Sequence, residues 1–329
     1  GGNVGLGFGW RLLAGSLTPF YSDYWTIHHY VFADASGAEY RLDQQSGTVW
    51  TSKEGIGVSY DQDTKRLWFN DGSFWEFGAL SQGMEYDAGT RYPTKMQDSN
   101  GNQILFRYNQ GRNAVTSNSS SRIAEIEDPR TPAGQTSTYQ FTYNTDPSPL
   151  LTGITNSIGT SETHSFTYLA NQALTGPFAT SPTLTTTSLL STAATLNLGT
   201  YSFTYGSNAA GELTKVTFPL GAEIEWGYAN HTSSLGRTHR EVSGRWLKSI
   251  SGGTSQSYGI SFDSGDTSRQ AHLSRTIVDA SGTADKVWTF ETNPASAYFG
   301  LVTKQEDRAI SGSPATVAQR EYAYTQMAN

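Results

Sequence analysis

The sequence predicts an all-β fold made of reiterated antiparallel hairpins, and three observations carry that expectation. The chain of 329 residues has 18 Tyr, 15 Phe, 8 Trp and 34 Gly, a composition suited to strands and turns rather than helices. No stretch keeps a 3.6-residue apolar period beyond two turns, whereas short apolar/polar alternations recur from end to end. The third observation is a strand ending of the form aromatic-x-aromatic that returns along most of the chain. In Pro93 to Tyr108, Ile104, Phe106 and Tyr108 alternate with Gln103, Leu105 and Arg107, the period of a strand with one buried face. The preceding Asn100-Gly101 predicts a hairpin whose primed turn has positive φ at both residues.

Composition also excludes. There is no cysteine, so disulfides, thiolate metal sites and cysteine nucleophiles drop out. Charged residues are 16%, net charge is −7 and no basic run appears, which argues against binding nucleic acid through its phosphates. No apolar run approaches the ~20 residues of a membrane-spanning helix, so no membrane insertion is expected. The start GGNVGLGFGWRLL and the end Met327-Ala328-Asn329 read as those of a piece cut from a longer polypeptide.

In chain order, residues 1–88 predict a hairpin entry region. Gly1 to Arg11 is glycine-rich and closes on Trp10-Arg11. A phosphate cradle would need a strand before it and a helix after it; Ser16, Thr18 and Pro19 follow instead, so a tightly packed or bulged strand entry is expected. Tyr21 to Tyr40 carries strand residues around a turn at Asp34 to Gly37. Asp43 to Gly47 predicts a second turn, Val49 to Ser52 a short strand, and Asp61 to Lys65 a third turn. Asn70-Asp71-Gly72 then leads into Phe74 to Phe77.

Residues 89–329 repeat one unit: a leading apolar residue, two more, an apolar residue, a turn, then a strand ending aromatic-x-aromatic. The endings are Phe106-x-Tyr108, Phe141-x-Tyr143, Phe166-x-Tyr168, Phe203-x-Tyr205, Trp226-x-Tyr228, Trp288-x-Phe290 and Tyr322-x-Tyr324, with Ile260-x-Phe262 weaker. They are roughly 31 residues apart on average, within the range of repeat architectures. Leading halves include Ile123-x-x-Ile126, Leu151-x-x-Ile154, Leu213-x-x-Val216 and Leu247-x-x-Ile250. Asn109 to Ser121 predicts a long loop. The Ser/Thr-rich insertion near 170–199 predicts an extra strand pair, over Leu184 to Leu190 and Ala194 to Leu198, with a flexible stalk as the alternative.

Candidate chemistry is sparse. Six histidines are scattered, and His28-His29, being adjacent, should face opposite sides of a strand and not share a metal. Gly253 to Ser257 lacks the second glycine and the helix of a nucleophile elbow. Glu223 and Glu225 would share one strand face, where a solvated face is expected rather than a glycosidase pair. Asp61 with Asp63, and Asp263 with Asp266, predict turn caps rather than calcium loops. Asn118 and Asn230 open glycosylation sequons in expected loops. Trp25, Trp50, Trp68 and Trp75 could stack on sugars if exposed, though core packing is the expectation. No enzymatic site, cofactor or metal is expected.

The unit LxxIxDxxGxxhxFxY resembles that of the YD-repeat, or RHS, family. Gly5 to Leu12 is similar to its GxGW opening, with Trp10 in place. Asp71 to Phe77 is similar to its DGxxxxF hairpin, carried by Asp71, Gly72 and Phe77. The resemblance covers essentially the whole chain. Many units lack the Tyr-Asp dipeptide, and a DPxGxxG-type terminating motif and a C-terminal toxin are missing, so self-cleavage is carried to no residue. The resemblance implies a continuous curved antiparallel sheet spiralling into a shell, here partial. It implies a non-enzymatic role, secreted or at a bacterial cell surface. Expected partners are the remainder of the same polypeptide, an encapsulated toxin, or further copies joined through open strand edges. An adhesion or carbohydrate-binding scaffold is the alternative.

Overall fold

The computed structural model describes residues 2–12, 14–130, 137–160, 162–178, 183–232, 236–249, 255–262, 271–312 and 315–325. Among them every regular element is a strand, and no helix is long and apolar enough to cross a membrane. In chain order the strands are β1 (Ser16–Tyr21), β2 (Ile27–Ala33), β3 (Glu39–Leu42), β4 (Gln44–Ser46), β5 (Val49–Thr51), β6 (Val58–Asp61), β7 (Arg66–Phe69), β8 (Phe74–Glu76), β9 (Ala79–Leu80), β10 (Arg91–Tyr92), β11 (Lys95–Gln97), β12 (Gln103–Tyr108) and β13 (Ile123–Asp128). There follow β14 (Ser137–Tyr143), β15 (Leu151–Asn156), β16 (Thr163–Thr175), β17 (Thr183–Thr195), β18 (Gly199–Tyr205), β19 (Leu213–Thr217), β20 (Glu223–Thr232), β21 (Thr238–Lys248), β22 (Ser255–Phe262), β23 (Ser274–Val278), β24 (Ala284–Phe290), β25 (Val302–Ala309) and β26 (Ala315–Glu321).

Two compact units are present: Gly1–Gln172 with Thr186–Gly199, and Ala173–Thr185 with Thr200–Asn329. The expected change from entry region to repeats, at residues 88/89, falls inside the first. That unit holds a five-stranded sheet, β3-β2-β1-β10-β9, and a longer antiparallel run from β4 to β8 that continues through β11 to β16. The second unit pairs β18 through β26 in chain order. The sheet is not closed into a barrel: among the described residues β4 pairs with β5 alone and β26 with β25 alone.

In the entry region two sheets face each other and share one core. Leu17, Tyr30, Phe32 and Leu42 from β1 to β3 meet Trp50, Tyr60, Leu67 and Phe77 from the β5 to β8 side. Leu17, Leu42 and Leu67 are fully buried, which contributes about 1.5–3 kcal/mol each. Tyr30 lies edge-on to both Trp50 and Tyr60. A second cluster joins Ala79, Phe106, Tyr108 and Ile123. The second unit is built differently: every residue of β19, β23 and β25 is half-buried. Strands without a packed second layer keep both faces partly wet, so polar and apolar residues can share them.

The hairpin of residues 95–108 forms as expected, but its turn differs. The Asn100 backbone stays at negative φ and only Gly101 is positive, at 86°. Asp98 O accepts from Gly101 N at 3.1 Å and Asp98 N donates to Asn102 O at 3.0 Å, closing a three-residue loop. That is a type I turn followed by a left-handed glycine. It wins because Asp98 carboxylate oxygen Oδ1 accepts from Asn100 N and Asn102 N at 2.9 and 2.8 Å, holding the turn from inside. The same closure recurs at Asp34 to Ala38, Phe69 to Ser73 and Phe218 to Ala222. In the second of these, Gly72 takes the left-handed position and Asp71 accepts from Ser73 N.

Three further expectations change. Asp43 to Gly47 is not a single turn, because Gln44–Ser46 forms β4, the exposed first strand of a hairpin with β5. The 170–199 insertion does add strand, but as an extension of β16 to Thr175 and one strand, β17, rather than as two strands inside the insertion. Threonine hydroxyls bridge them, Thr167 to Thr192 at 2.6 Å. Tyr322 and Tyr324 lie just beyond β26 rather than within it. Residues 109–122 are a loop without strand, and a packed one, with Ser119 and Ser120 buried.

Candidate functional site

The recurring strand ending is the most regular feature of the chain. In β12, β14, β18, β20 and β24 the strand register slips by one residue immediately before the second aromatic: Tyr108, Tyr143, Tyr205, Tyr228 and Phe290. The extra residue is on the following strand each time, Ala124, Thr152, Thr214, Ser243 and Thr303, so a bulge in that strand faces each aromatic. Four of these aromatics then lie opposite the first residue of the following strand, Ile123, Leu151, Leu213 and Val302, and Tyr228 lies opposite Val242 inside β21.

The hydroxyls complete the pattern by reaching back. Tyr108 donates to Pro93 O at 2.9 Å, Tyr143 to Ile123 O at 3.0 Å and Tyr168 to Leu151 O at 2.6 Å. In the second unit Tyr228 donates to Leu213 O at 2.7 Å and Tyr324 to Val302 O at 2.7 Å. One tyrosine thus pairs forward with one strand and bonds backward to another. In the first unit Pro93, Tyr108, Ile123, Tyr143, Leu151 and Tyr168 form an unbroken relay. Burial raises the pKa of Tyr108, Tyr143, Tyr168 and Tyr228 above the ordinary tyrosine value, so the hydroxyls remain donors. Phe106 is buried beside Ile123, with Phe141 partly buried against the same cluster. Phe166, Phe203, Trp226 and Trp288 hold the corresponding first-aromatic positions on β16, β18, β20 and β24. The link between successive hairpins is thus hydroxyl to carbonyl, in most cases over a leading aliphatic residue.

The glycine-rich entry is tightly packed, as expected, but it is not a strand; β1 begins only at Ser16. Asn3 organises it, accepting from Gly5 N and Gly7 N and donating to Ser148. Leu151 N donates to Gly5 O at 2.7 Å and Phe8 N to Ser188 O at 2.8 Å. At Gly7, with φ +82°, a Cβ would sit 2.6 Å from Ser188 O, so only glycine fits. Below this segment Arg122 donates to Glu85 at 2.6 Å and to Pro149 O at 2.9 Å. Both side chains are buried, Glu85 wholly and Arg122 to within 2%. A cavity of about 370 Å³, lined in part by Trp10, Tyr86, Asp87 and Tyr92, adjoins the segment. Its one carboxylate is already engaged, because Asp87 accepts from Ser81 and Tyr92.

The carboxylate pairs are likewise engaged. Glu223 meets Lys215 and Lys248, and Glu225 meets Lys248, at 3.1–3.3 Å. Hydrogen bonds from Lys248 and then Lys215 hold the Glu223 carboxyl below its usual pKa, the opposite of a general acid. Asp61 caps its turn through Asp63 N and Thr64 Oγ1. Asp263, Asp266, Gly253 and Thr254 lie outside the described residues, while Ser255 and Ser257 sit in β22. Of the sequons, Asn230 is in β20 rather than a loop, and Asn118 is half-buried with its Oδ1 accepting from Tyr108 N at 2.7 Å.

Two histidine readings change. His28 and His29 do meet, their Nδ1 atoms 2.8 Å apart. A register slip between Phe20 and Tyr21 leaves His28 as the extra residue of a bulge, which cancels strict alternation. Elsewhere His231, Glu241 and His272 converge, with one potential donor atom from each within 4.8 Å of the others. Their separation in sequence carries no ligand motif. The signal was the pairing of β20 with β21, which sets Ala229 opposite Glu241 and His231 opposite His239 and so puts His231 and Glu241 on one face.

The tryptophans divide sharply. Trp50 is 3% exposed, and Trp75 packs against the entry core. Trp68 is tilted against Phe74. Trp25 is 91% exposed and Tyr24 94%, at the tip of the β1–β2 hairpin, where Asp23 accepts from Trp25 N and Thr26 N.

No protein-family model matches the chain, and no curated protein matches it. Among solved structures it is similar to TcdB2-TccC3, at 13% identity and a TM-score of 0.31, covering 88% of this chain and 16% of that one. It is similar to the N-terminal domain of effector protein SpvB from Salmonella typhimurium strain LT2, at 12% identity and a TM-score of 0.28, covering 75% of this chain and 90% of that one. It is also similar to the Tc holotoxin pore of Photorhabdus luminescens carrying TccC3-D651A, at 13% identity and a TM-score of 0.23, covering 89% of this chain and 15% of that one.

Proposed function

We propose that the chain is a non-enzymatic wall segment of a YD/RHS-type shell, secreted or displayed at a bacterial cell surface, that encloses or presents a partner polypeptide such as a toxin. The relay of tyrosine hydroxyls carries this reading. It is a device for adding hairpin to hairpin without limit, in which stability accumulates between neighbours. Among the described residues, the carboxylates of Glu223, Asp61 and Asp87 are engaged in ion pairs, a turn cap and hydrogen bonds. The test is to express the open reading frame with both flanks and image the product. An internal cavity holding protease-protected density supports the reading; a solid or fully extended particle refutes it.

A second reading, a surface adhesion or carbohydrate-binding scaffold, is favoured by Trp25 and Tyr24 alone. Both rings stand in solvent on a tip held rigid by Asp23, as aromatic platforms that stack on sugars do. Glycan-array binding that disappears in Trp25→Ala supports it; an array without signal above background refutes it.

A further inference from the structure

We infer that His231, Glu241 and His272 form a binding site for a divalent transition-metal ion of the zinc class. His231 lies near the end of β20 and Glu241 on its partner β21. His272 comes from the segment just before β23, two strands further along the order β20-β21-β22-β23. One nitrogen from each imidazole and one carboxylate oxygen lie within 4.8 Å of each other. A tetrahedral zinc ion with bonds near 2.0–2.1 Å needs its donors about 3.3 Å apart, so small side-chain rotations close the set.

The surroundings fit such an ion. All three residues are half-buried, reachable from solvent but sheltered from it. His272 Nε2 already sits 2.9 Å from both Glu241 carboxylate oxygens. The His231 and His272 rings are 3.9 Å apart at a tilt of 44°. A bound ion would take both imidazoles as neutral nitrogen donors and Glu241 as a carboxylate. Phe262, at the end of β22, stacks on His272 at 4.1 Å and fixes its plane. Arg275 lies over the other ring of that stack, 5.4 Å from the Phe262 centroid. With two nitrogen donors and one oxygen, the set suits Zn²⁺, Co²⁺ or Ni²⁺ rather than Ca²⁺ or Mg²⁺. Three protein ligands leave a fourth position for water or for a donor from a partner. An ion there would fasten β20 and β21 to the start of β23, across the intervening β22. The site is independent of the proposed shell role.

The experiment uses tag-free protein stripped with chelator. It is titrated with Zn²⁺ by calorimetry and with Co²⁺ by visible absorption, with Mg²⁺ as the negative control. One equivalent of Zn²⁺ is expected, with a Co²⁺ ligand-field band of four- or five-coordinate type. His231→Ala, His272→Ala and Glu241→Gln should each weaken binding by roughly tenfold or more. His164→Ala, whose imidazole instead bonds Thr195, should bind as the parent does. Circular dichroism of the metal-free variants shows whether they are folded, and Zn²⁺ should raise the melting temperature of the parent but not of the His231→Ala/His272→Ala double variant. No saturable binding by the parent, or parent-like binding by a folded double variant, overturns the inference and leaves a plain His272–Glu241 ion pair.

Discussion

Replacing Tyr143 by Phe tests the relay at one atom. The ring and its place opposite Leu151 are retained, and only the hydroxyl that donates to Ile123 O at 3.0 Å is lost. Ile123 is 2% exposed, so water cannot readily replace the donor. A typical net hydrogen bond contributes about 0.5–1.5 kcal/mol, and an acceptor left unsatisfied in the interior costs about 1–3 kcal/mol. The expected loss is therefore about 1–2 kcal/mol. In a unit of this size that lowers the melting temperature by roughly 2–8 °C. Urea unfolding followed by tyrosine fluorescence and far-ultraviolet circular dichroism measures it, with Tyr24→Phe as the control because that side chain is 94% exposed. Tyr168→Phe should behave like Tyr143→Phe, since its hydroxyl bonds Leu151 O at 2.6 Å. If both variants match the control within about 0.3 kcal/mol, the hydroxyls are incidental and the relay does not hold successive hairpins together.

Removing Arg122 by Arg122→Met should cost up to about 3–5 kcal/mol, because buried Glu85 loses its closer cation and keeps only the Arg112 backbone N–H at 2.8 Å and the Arg112 guanidinium at 3.9 Å. The double variant with Glu85→Gln should recover part of that loss, and denaturant midpoints of the three variants decide it. Alkaline solution should unfold the chain cooperatively. The unfolded chain releases tyrosine protons near pH 10 while the folded chain retains those of Tyr108, Tyr143 and Tyr168. Their contribution is therefore intact below pH ~10 and declines above it, and a denaturant midpoint unchanged between pH 9 and 11.5 contradicts the relay. Trp50→Ala should cost about 3–5 kcal/mol as a buried core truncation. Trp25→Ala should change stability by less than about 0.5 kcal/mol, since its ring stands in solvent.

Alternation and turn composition made the strands legible. Gln103–Tyr108, Ser137–Tyr143 and Gly199–Tyr205 end where their aromatics said they would. What alternation cannot report is a departure from alternation. The bulges facing Tyr108 and Tyr143 leave a trace only in spacing, three residues from Ile123 to Ile126 and from Leu151 to Ile154 against two from Phe106 to Tyr108 and from Phe141 to Tyr143, and the bulge at His28 brought it onto His29 against a correct rule for regular strands. Turn type was misread at Asn100 because a local dipeptide preference competes with an aspartate two residues earlier. Asp98 supplies two hydrogen bonds that favour the three-residue loop. The metal-type cluster was hidden for another reason. His231 and Glu241 are neighbours only through the register of β20 on β21, and His272 joins them only through the fold.

The relay also accounts for which parts of the unit persist and which drift. A turn such as Asp98 to Asn102 contacts little beyond itself, so any loop that closes the hairpin serves, and lengths vary. The second aromatic has no such freedom. Tyr143 must stand opposite Leu151, reach Ile123 O, and do both while facing the bulge at Thr152 of the next strand. A smaller residue at that position would leave an interior carbonyl unmet, and a shift by one residue would turn the ring to the opposite face. The leading aliphatic is bound in the same way, since Ile123 and Leu151 each serve two successive tyrosines, one through register and one through the carbonyl. Selection acting on such a chain for shape alone would keep these two positions and release nearly everything between them. That is the pattern in the sequence, where aromatic-x-aromatic endings and leading Ile, Leu or Val residues hold while loops range from tight turns to the insertion near 170–199.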